Sequence, residues 1–230
     1  VRLIGLDYKK TNIRAGLIAF AVMLGFCLYG GVNVLVAAAA GLIYFCIKNL
    51  KITLPEKANP LWAALEIFLS AIMTEHMVQY LLLDAELRAK ITDTKMFLNV
   101  LCCLVVYVVV QVFTKNAGLT CVISHIALMT FAGINYFVYL FRGNEFTFSD
   151  IRSIGTGLSV AGNYKLQLND RGVYVIFLAA LFIAFVRKWH VRFTGKIQMR
   201  VISVMAIALS CVIIAANAYD VNTETWEQKG

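Results

Sequence analysis

Four ionisable side chains lie within long apolar stretches of this sequence: Glu66, Glu75, His76 and His125. A titratable group in hydrocarbon is costly, so each of them requires a polar partner or a function. Glu66 and His125 both lie a turn or two from the same predicted end of their helices. They could form a structural polar pair that locks two helices together, and a path for protons or ions is the alternative.

Two arginines provide a second kind of chemistry. Arg142 and Arg152 lie in and beside a polar segment between two apolar stretches. A guanidinium group can hold two phosphate oxygens at once, so we expect both arginines to face lipid headgroups. Three further polar residues are expected nearby: Glu75, His76 and Asn163. The alternative is that the arginines only extend to the membrane surface or pair with acidic neighbours.

The motifs of soluble enzymes are absent from the sequence. It has no Walker loop, no H-E-x-x-H zinc motif and no nucleophile elbow, so we expect no catalytic residue and no cofactor in these 230 residues. The six cysteines all lie in apolar stretches without a C-x-x-C pair, which favours helix packing over metal binding. The net charge of +8 comes mainly from residues at predicted helix ends, which argues against a nucleic-acid partner.

The elements that position these residues are predicted to be membrane helices. Hydrophobic residues make up 60% of the chain, charged residues 15%, and the mean hydropathy is +0.76. A helix needs about 20 residues to cross the hydrocarbon core. Apolar stretches of this order indicate an all-α integral membrane protein with six such stretches, at 15–47, 61–82, 96–113, 118–141, 172–186 and 199–219.

The first stretch is too long for one crossing, and Gly30-Gly31 is the only break signal inside it. We therefore favour a hairpin with arms at 15–29 and 32–47, which gives about seven crossings, over one tilted helix. With a cytoplasmic N-terminus this arrangement places 13 of the 21 basic residues inside, whereas a single helix would place 9 inside. The positive-inside rule supports the hairpin and an extracellular C-terminus in a multi-pass protein of the cell membrane.

The polar segment at about 147–161 is predicted to be an amphipathic helix at the outer interface. Thr147 and Asp150 fit a helix-start pattern, and Ile151, Ile154 and Leu158 recur at helical spacing. Such a helix either contacts headgroups or packs against the bundle without touching a ligand.

This region also resembles a known family. The residues that carry the likeness are Phe141-Arg142-Gly143, Phe148-Ser149-Asp150, Ser153-Ile154-Gly155-Thr156 and Val160-Ala161-Gly162-Asn163-Tyr164. They resemble the signature in the membrane domain of lipoteichoic acid synthase-like proteins, which are Gram-positive phosphoglycerol transferases of the sulfatase superfamily. The likeness covers roughly 61–230; this chain lacks the family's proline near Gly143 and has an additional hairpin at 1–60.

The resemblance implies a domain plan and a function. The plan has a hairpin and linker at 1–60, a five-span membrane domain at 61–219, and the start of an extracytoplasmic segment at 220–230. A sulfatase-type catalytic domain with a divalent metal such as manganese is expected after this segment. The membrane domain would anchor it and present phosphatidylglycerol or another anionic lipid. The alternatives are a small multi-span transporter or channel and an inert membrane anchor.

Overall fold

The computed structural model describes residues 4–6, 10–52, 59–83, 85–89, 91, 93–114, 116–143 and 169–188, together with six residues between 203 and 213. Nine elements are numbered in chain order: β1 (Ile4–Leu6), α1 (Lys10–Gly30), α2 (Leu35–Asn49), β2 (Leu50–Ile52), α3 (Asn59–Leu82), α4 (Ala85–Ala89), α5 (Asp93–Thr114), α6 (Ala117–Arg142) and α7 (Asp170–Val186). The six residues between 203 and 213 are all helical. The predicted interfacial helix at 147–161 and the segment 220–230 lie outside the described residues.

The predicted break at Gly30-Gly31 is confirmed. Gly31 has a φ of +67°, in the left-handed region that favours glycine, and it ends α1. Asn33 then begins the return arm, because its Oδ1 accepts a hydrogen bond from the backbone N–H of Leu35 at 2.9 Å. Residues 15–47 therefore form two antiparallel helices instead of one long helix.

At the open end of this hairpin, away from Gly31, hydrogen bonds join the two helices. Asn12 Nδ2 donates to Asn49 Oδ1 at 2.9 Å, and Asn49 Nδ2 donates to the carbonyl oxygen of Phe45 at 2.8 Å. Beyond the helices, β1 and β2 pair antiparallel with Ile4 opposite Ile52. This strand pair was not predicted, because two strands of three residues each are too short to show an alternating pattern in the sequence.

Four of the other predicted helices are present as α3, α5, α6 and α7, with boundaries within three residues of those expected. The predicted stretch 199–219 lies mostly outside the described residues and stays a prediction. Asparagine caps explain two of the starts. Asn116 Oδ1 accepts from the N–H of Leu119 at the start of α6, and Asn169 Oδ1 accepts from the N–H of Gly172 at the start of α7. Gly143, with φ +69°, ends α6. The five-residue helix α4 was not predicted.

Three of the helices are long and apolar enough to cross a membrane, over Asn12–Gly30, Lys95–Thr114 and Ala117–Leu140. Their outward faces are apolar as well as their packed faces. Leu28 is 69% exposed and Phe113 is 78% exposed. A helix that is apolar on all sides is typical of contact with lipid. The structure is thus a mainly helical protein whose surface suits a membrane.

The helices pack as two groups joined by α7. The hairpin α1–α2 forms one group, and α3, α5 and α6 form the other. Val173 and Phe177 of α7 pack with Met23 and Ala37 of the hairpin. Further along α7, Val186 belongs to the cluster that holds Tyr107 and other residues of α3, α5 and α6. Within the described residues, α7 is the helix that packs extensively on both groups.

Candidate functional site

Of the five residues that sequence analysis grouped as a headgroup site, the structure describes the side chains of Glu75 and His76. Glu75 is buried in α3, whereas its neighbour His76 is exposed. Successive residues of a helix point about 100° apart, so the two side chains could not share one face. Arg142 is the last residue of α6, and its side chain lies outside the described part of the chain. The same holds for Arg152 and Asn163, so their grouping stays a prediction.

Glu75 is held by polar neighbours inside the bundle. Gln79, one turn further along α3, donates from Nε2 to Glu75 Oε1 at 2.8 Å. The thiol of Cys103 on α5 donates to Glu75 Oε2 at 3.4 Å. Both carboxyl oxygens therefore have donors, and Glu75 links α3 to α5.

A chain of hydrogen bonds runs through the centre of the α3–α5–α6 group, with Thr74 at its middle. The Oγ1 atom of Thr74 lies 2.6 Å from Tyr107 Oη on α5 and 2.7 Å from His125 Nδ1 on α6. Tyr107 Oη in turn donates to the carbonyl oxygen of Ser70 at 3.3 Å. Thr74, Tyr107 and His125 are all fully buried, so this chain ties three helices together at one level.

Donor and acceptor counting gives the chain a direction. Each hydroxyl has one proton to donate, and the Tyr107 proton is directed to Ser70. Tyr107 therefore accepts from Thr74, and Thr74 accepts from His125, which places the ring proton on Nδ1. The tautomer is inferred from this count. It leaves Nε2 as an unprotonated acceptor, and this atom has no hydrogen-bond partner in the described structure.

The predicted pair between Glu66 and His125 is not formed. Neither carboxyl oxygen of Glu66 has a hydrogen-bond partner among the described residues, and His125 is bound to Thr74 instead. Thr74 lies eight residues beyond Glu66 on α3, which is two helical turns or about 12 Å. The register of α3 against α6 thus separates the two groups, and the sequence alone could not supply this register.

A second polar cluster joins α5 to α6 at their connecting turn. Thr120 donates to Gln111 Oε1, and its hydroxyl also contacts the hydroxyl of Thr114. Gln111 and Thr120 are buried. Sequence analysis missed this cluster, although polar residues on both sides of a short turn between apolar helices were an available signal.

An apolar cavity of about 580 Å³ adjoins the bundle between α2, α3 and α7. Glu66 is the ionisable residue in its wall, and the other wall residues include Ile47, Met77, Leu181 and Phe182. Phe182 also packs against the His125 ring, with 4.4 Å between the ring centroids. This aromatic ring therefore separates His125 from the cavity. The cavity was not predicted, because it depends on how α7 lies against the hairpin.

Among the described residues, no group of three His, Cys, Asp or Glu side chains is placed to hold a metal ion. The geometry supplies a polar interior that orders three helices and a cavity with one carboxyl group. Comparison with protein-family models, with curated proteins and with solved structures finds no match to this chain.

Proposed function

We propose that this chain is the membrane domain of a lipoteichoic acid synthase-like phosphoglycerol transferase. In this role it crosses the cell membrane about seven times, anchors an extracytoplasmic sulfatase-type catalytic domain, and presents phosphatidylglycerol to that domain. The observation that carries the proposal is the signature-like run from Phe148 to Tyr164 between α6 and α7. The divalent metal of such an enzyme belongs to the catalytic domain.

The arrangement of helix ends supports this proposal. Arg171 at the start of α7 donates from Nη1 to the carbonyl oxygen of Leu83 after α3, at 3.4 Å. The end of α3 and the start of α7 therefore lie at the same edge of the bundle, which is called the outer edge below. The run 144–168 comes immediately before this start of α7 in the chain. At the opposite edge, Lys188 Nζ donates to the carbonyl oxygen of Lys48 at 2.8 Å.

The second edge has the features of a cytoplasmic one. It carries Arg14, Lys48, Lys51, Arg187 and Lys188, and basic residues near helix ends favour the cytoplasmic side. Lys188 also places its positive charge at the C-terminal end of α2, where the helix dipole favours a cation. In the proposed topology, the connection between α6 and α7 that contains the signature-like run is therefore extracytoplasmic, on the side of the catalytic domain.

Cysteine labelling in intact cells tests this orientation. A membrane-impermeant maleimide is expected to modify Glu86→Cys, which is exposed on α4 beside the outer edge, and to spare Lys51→Cys, which is exposed on β2. Lysis should make Lys51→Cys reactive. The native cysteines are first replaced by alanine or serine to remove background labelling. The reverse pattern would contradict the topology.

Lipid binding tests the proposed function itself. The purified chain is expected to bind phosphatidylglycerol in preference to phosphatidylcholine, and Arg142→Ala and Arg152→Ala are each expected to weaken this binding. Loss of one charge-assisted phosphate contact costs roughly 1.5–3 kcal/mol, or about 10- to 150-fold in affinity. Asn163 and the exposed His76 are proposed to lie beside the two arginines. Glu75 is not included, because its carboxyl group is already paired.

The matched control is Arg14→Ala, which removes an exposed arginine from the opposite edge and should leave the lipid preference unchanged. A double change of Arg142 and Arg152 that keeps the preference for phosphatidylglycerol would refute the lipid site. If Ile154→Asp then disrupts folding, the segment at 147–161 packs against the bundle and binds no headgroup.

A further inference from the structure

The cavity between α2, α3 and α7 has the size and the lining of a small-molecule site. Its volume of about 580 Å³ lies within the range of roughly 300–1,000 Å³ for ligand pockets, which are mostly apolar with a few polar groups. Five residues of its wall are also exposed on the outer surface: Ile43 of α2, Leu69 and Met73 of α3, and Leu178 and Phe185 of α7. The cavity therefore opens to the side of the bundle, through a surface that faces lipid in the proposed arrangement.

Glu66 provides the ionisable group that distinguishes this cavity from a packing gap. Its side chain forms part of the wall and is 5% exposed, and both carboxyl oxygens lack a hydrogen-bond donor within the described structure. Glu75, the other buried carboxyl group of α3, has donors for both oxygens. A buried carboxyl group without donors is unfavourable, so a bound molecule that supplies them would be stabilised.

We propose that this cavity binds a hydrophobic amine, a molecule with an apolar body and one protonated primary amino group that pairs with Glu66. An ammonium group has three donors and a positive charge, so it can satisfy both carboxyl oxygens at once. Because both carboxyl oxygens are buried, pairing with the ammonium group requires a rotamer change of Glu66 that brings its carboxyl group to the cavity surface. The site does not depend on the lipid headgroup site of the proposed function.

Two aromatic rings in the wall favour the same ligand. Phe182 and Phe185 line the cavity together with Glu66. The face of an aromatic ring attracts a cation within about 6 Å of its centre, and the attraction is larger where water is excluded. The aliphatic part of the ligand would contact Leu178, Leu181 and Met77. The carboxyl group and the rings thus match the ammonium group of the ligand, and the aliphatic wall matches its apolar body.

Other ligand classes fit this wall less well. A phospholipid ammonium group lies next to a phosphate, and the cavity wall offers no basic group to pair with that phosphate. A ligand carboxylate would bring a second acidic group to Glu66. A quaternary ammonium has no N–H donor for the two oxygens. A metal ion would require further ligands, and no such cluster exists in the described part of the chain.

The test uses three probes that share one apolar cage: adamantylamine, adamantanol and adamantane carboxylate. The whole chain is reconstituted in phosphatidylcholine nanodiscs, and saturation binding of tritiated adamantylamine is measured with the other two as competitors. We expect the amine to bind roughly 10- to 150-fold more tightly than the alcohol, the range of one charge-assisted contact, and the carboxylate not to compete. Glu66→Gln should abolish the preference for the amine while the alcohol still binds.

A matched pair of variants on α7 locates the site independently of Glu66. Leu178 and Ile176 are both 36% exposed, but Leu178 lines this cavity and Ile176 does not. Leu178→Trp should block amine binding, whereas Ile176→Trp should preserve it. Equal affinity for amine and alcohol, absence of saturable amine binding, or binding that survives Leu178→Trp would each overturn the proposal. The comparison of amine with alcohol and the two α7 variants test the proposal even if Glu66→Gln fails to fold.

Discussion

Gly41→Ala is expected to destabilise the α1–α2 hairpin by roughly 1–3 kcal/mol, the usual cost of forcing extra volume into a packed site. A Cβ atom added at Gly41 would lie 2.8 Å from Phe20 Cβ and 3.0 Å from the carbonyl oxygen of Gly16. Neither neighbour is the end of a flexible side chain, so the two helices must move apart. The measurement is the free energy of unfolding in an SDS titration followed by circular dichroism.

Gly25→Ala is the matched control for this prediction. Gly25 also lies inside a helix of the hairpin, but an added Cβ would meet nothing within 4 Å. Alanine is favoured over glycine within a helix by roughly 0.5–1 kcal/mol, so this variant should be neutral or more stable. Equal effects of the two substitutions would show that helix propensity, and not the close crossing at Gly16 and Gly41, determines hairpin stability.

Thr74→Val should have the second large effect, because it removes the hydroxyl at the middle of the buried chain. The Nδ1–H group of His125 then loses its acceptor, and Tyr107 loses the donor from Thr74. A buried polar group left without its partner costs roughly 1–3 kcal/mol. The change is measured by the same unfolding titration, and nitrogen NMR of His125 reports whether the neutral ring carries its proton on Nδ1.

A double-mutant cycle shows whether the chain acts as a unit. Tyr107→Phe alone should destabilise, and combining it with Thr74→Val should cost less than the sum of the single changes by about 0.6–1.7 kcal/mol, the range measured for hydrogen bonds between membrane helices. Thr130→Val, at an exposed position of α6, should stay within about 0.5 kcal/mol of the parent protein. Strict additivity would mean that Thr74 and Tyr107 contribute independently.

The helices of this protein were predictable because their signals are local. Apolar stretches located α3, α5, α6 and α7, and Gly30-Gly31 correctly indicated the break in the first stretch. The β1–β2 pair could not be predicted, since it joins residues 4–6 to residues 50–52, which are far apart in the sequence. Its strands have no sequence pattern long enough to indicate pairing.

The sequence indicated which buried polar residues need partners, but not which side chains those partners are. Sequence analysis correctly noted that Glu66, Glu75 and His125 require explanation, since each lies in an apolar stretch and each is buried. It could not assign their partners, because a shift of one turn between helices changes which side chains meet. The sequence did not single out Thr74 or Tyr107, since one hydroxyl group in an apolar helix is common. The structure shows that Thr74, which is itself bonded to Tyr107, is the partner of His125.

The position of α7 between the two helix groups has a consequence for biogenesis. The ribosome completes the hairpin by residue 49 and the α3–α5–α6 group by residue 142, but α7 begins only at Asp170. Until α7 has been synthesised and inserted, the surfaces of Met23 and Ala37 on one group and of Ala63 and Ile67 on the other lack the α7 side chains that cover them. A nascent chain that stops before α7 would leave two unassembled halves for the membrane quality-control machinery to recognise.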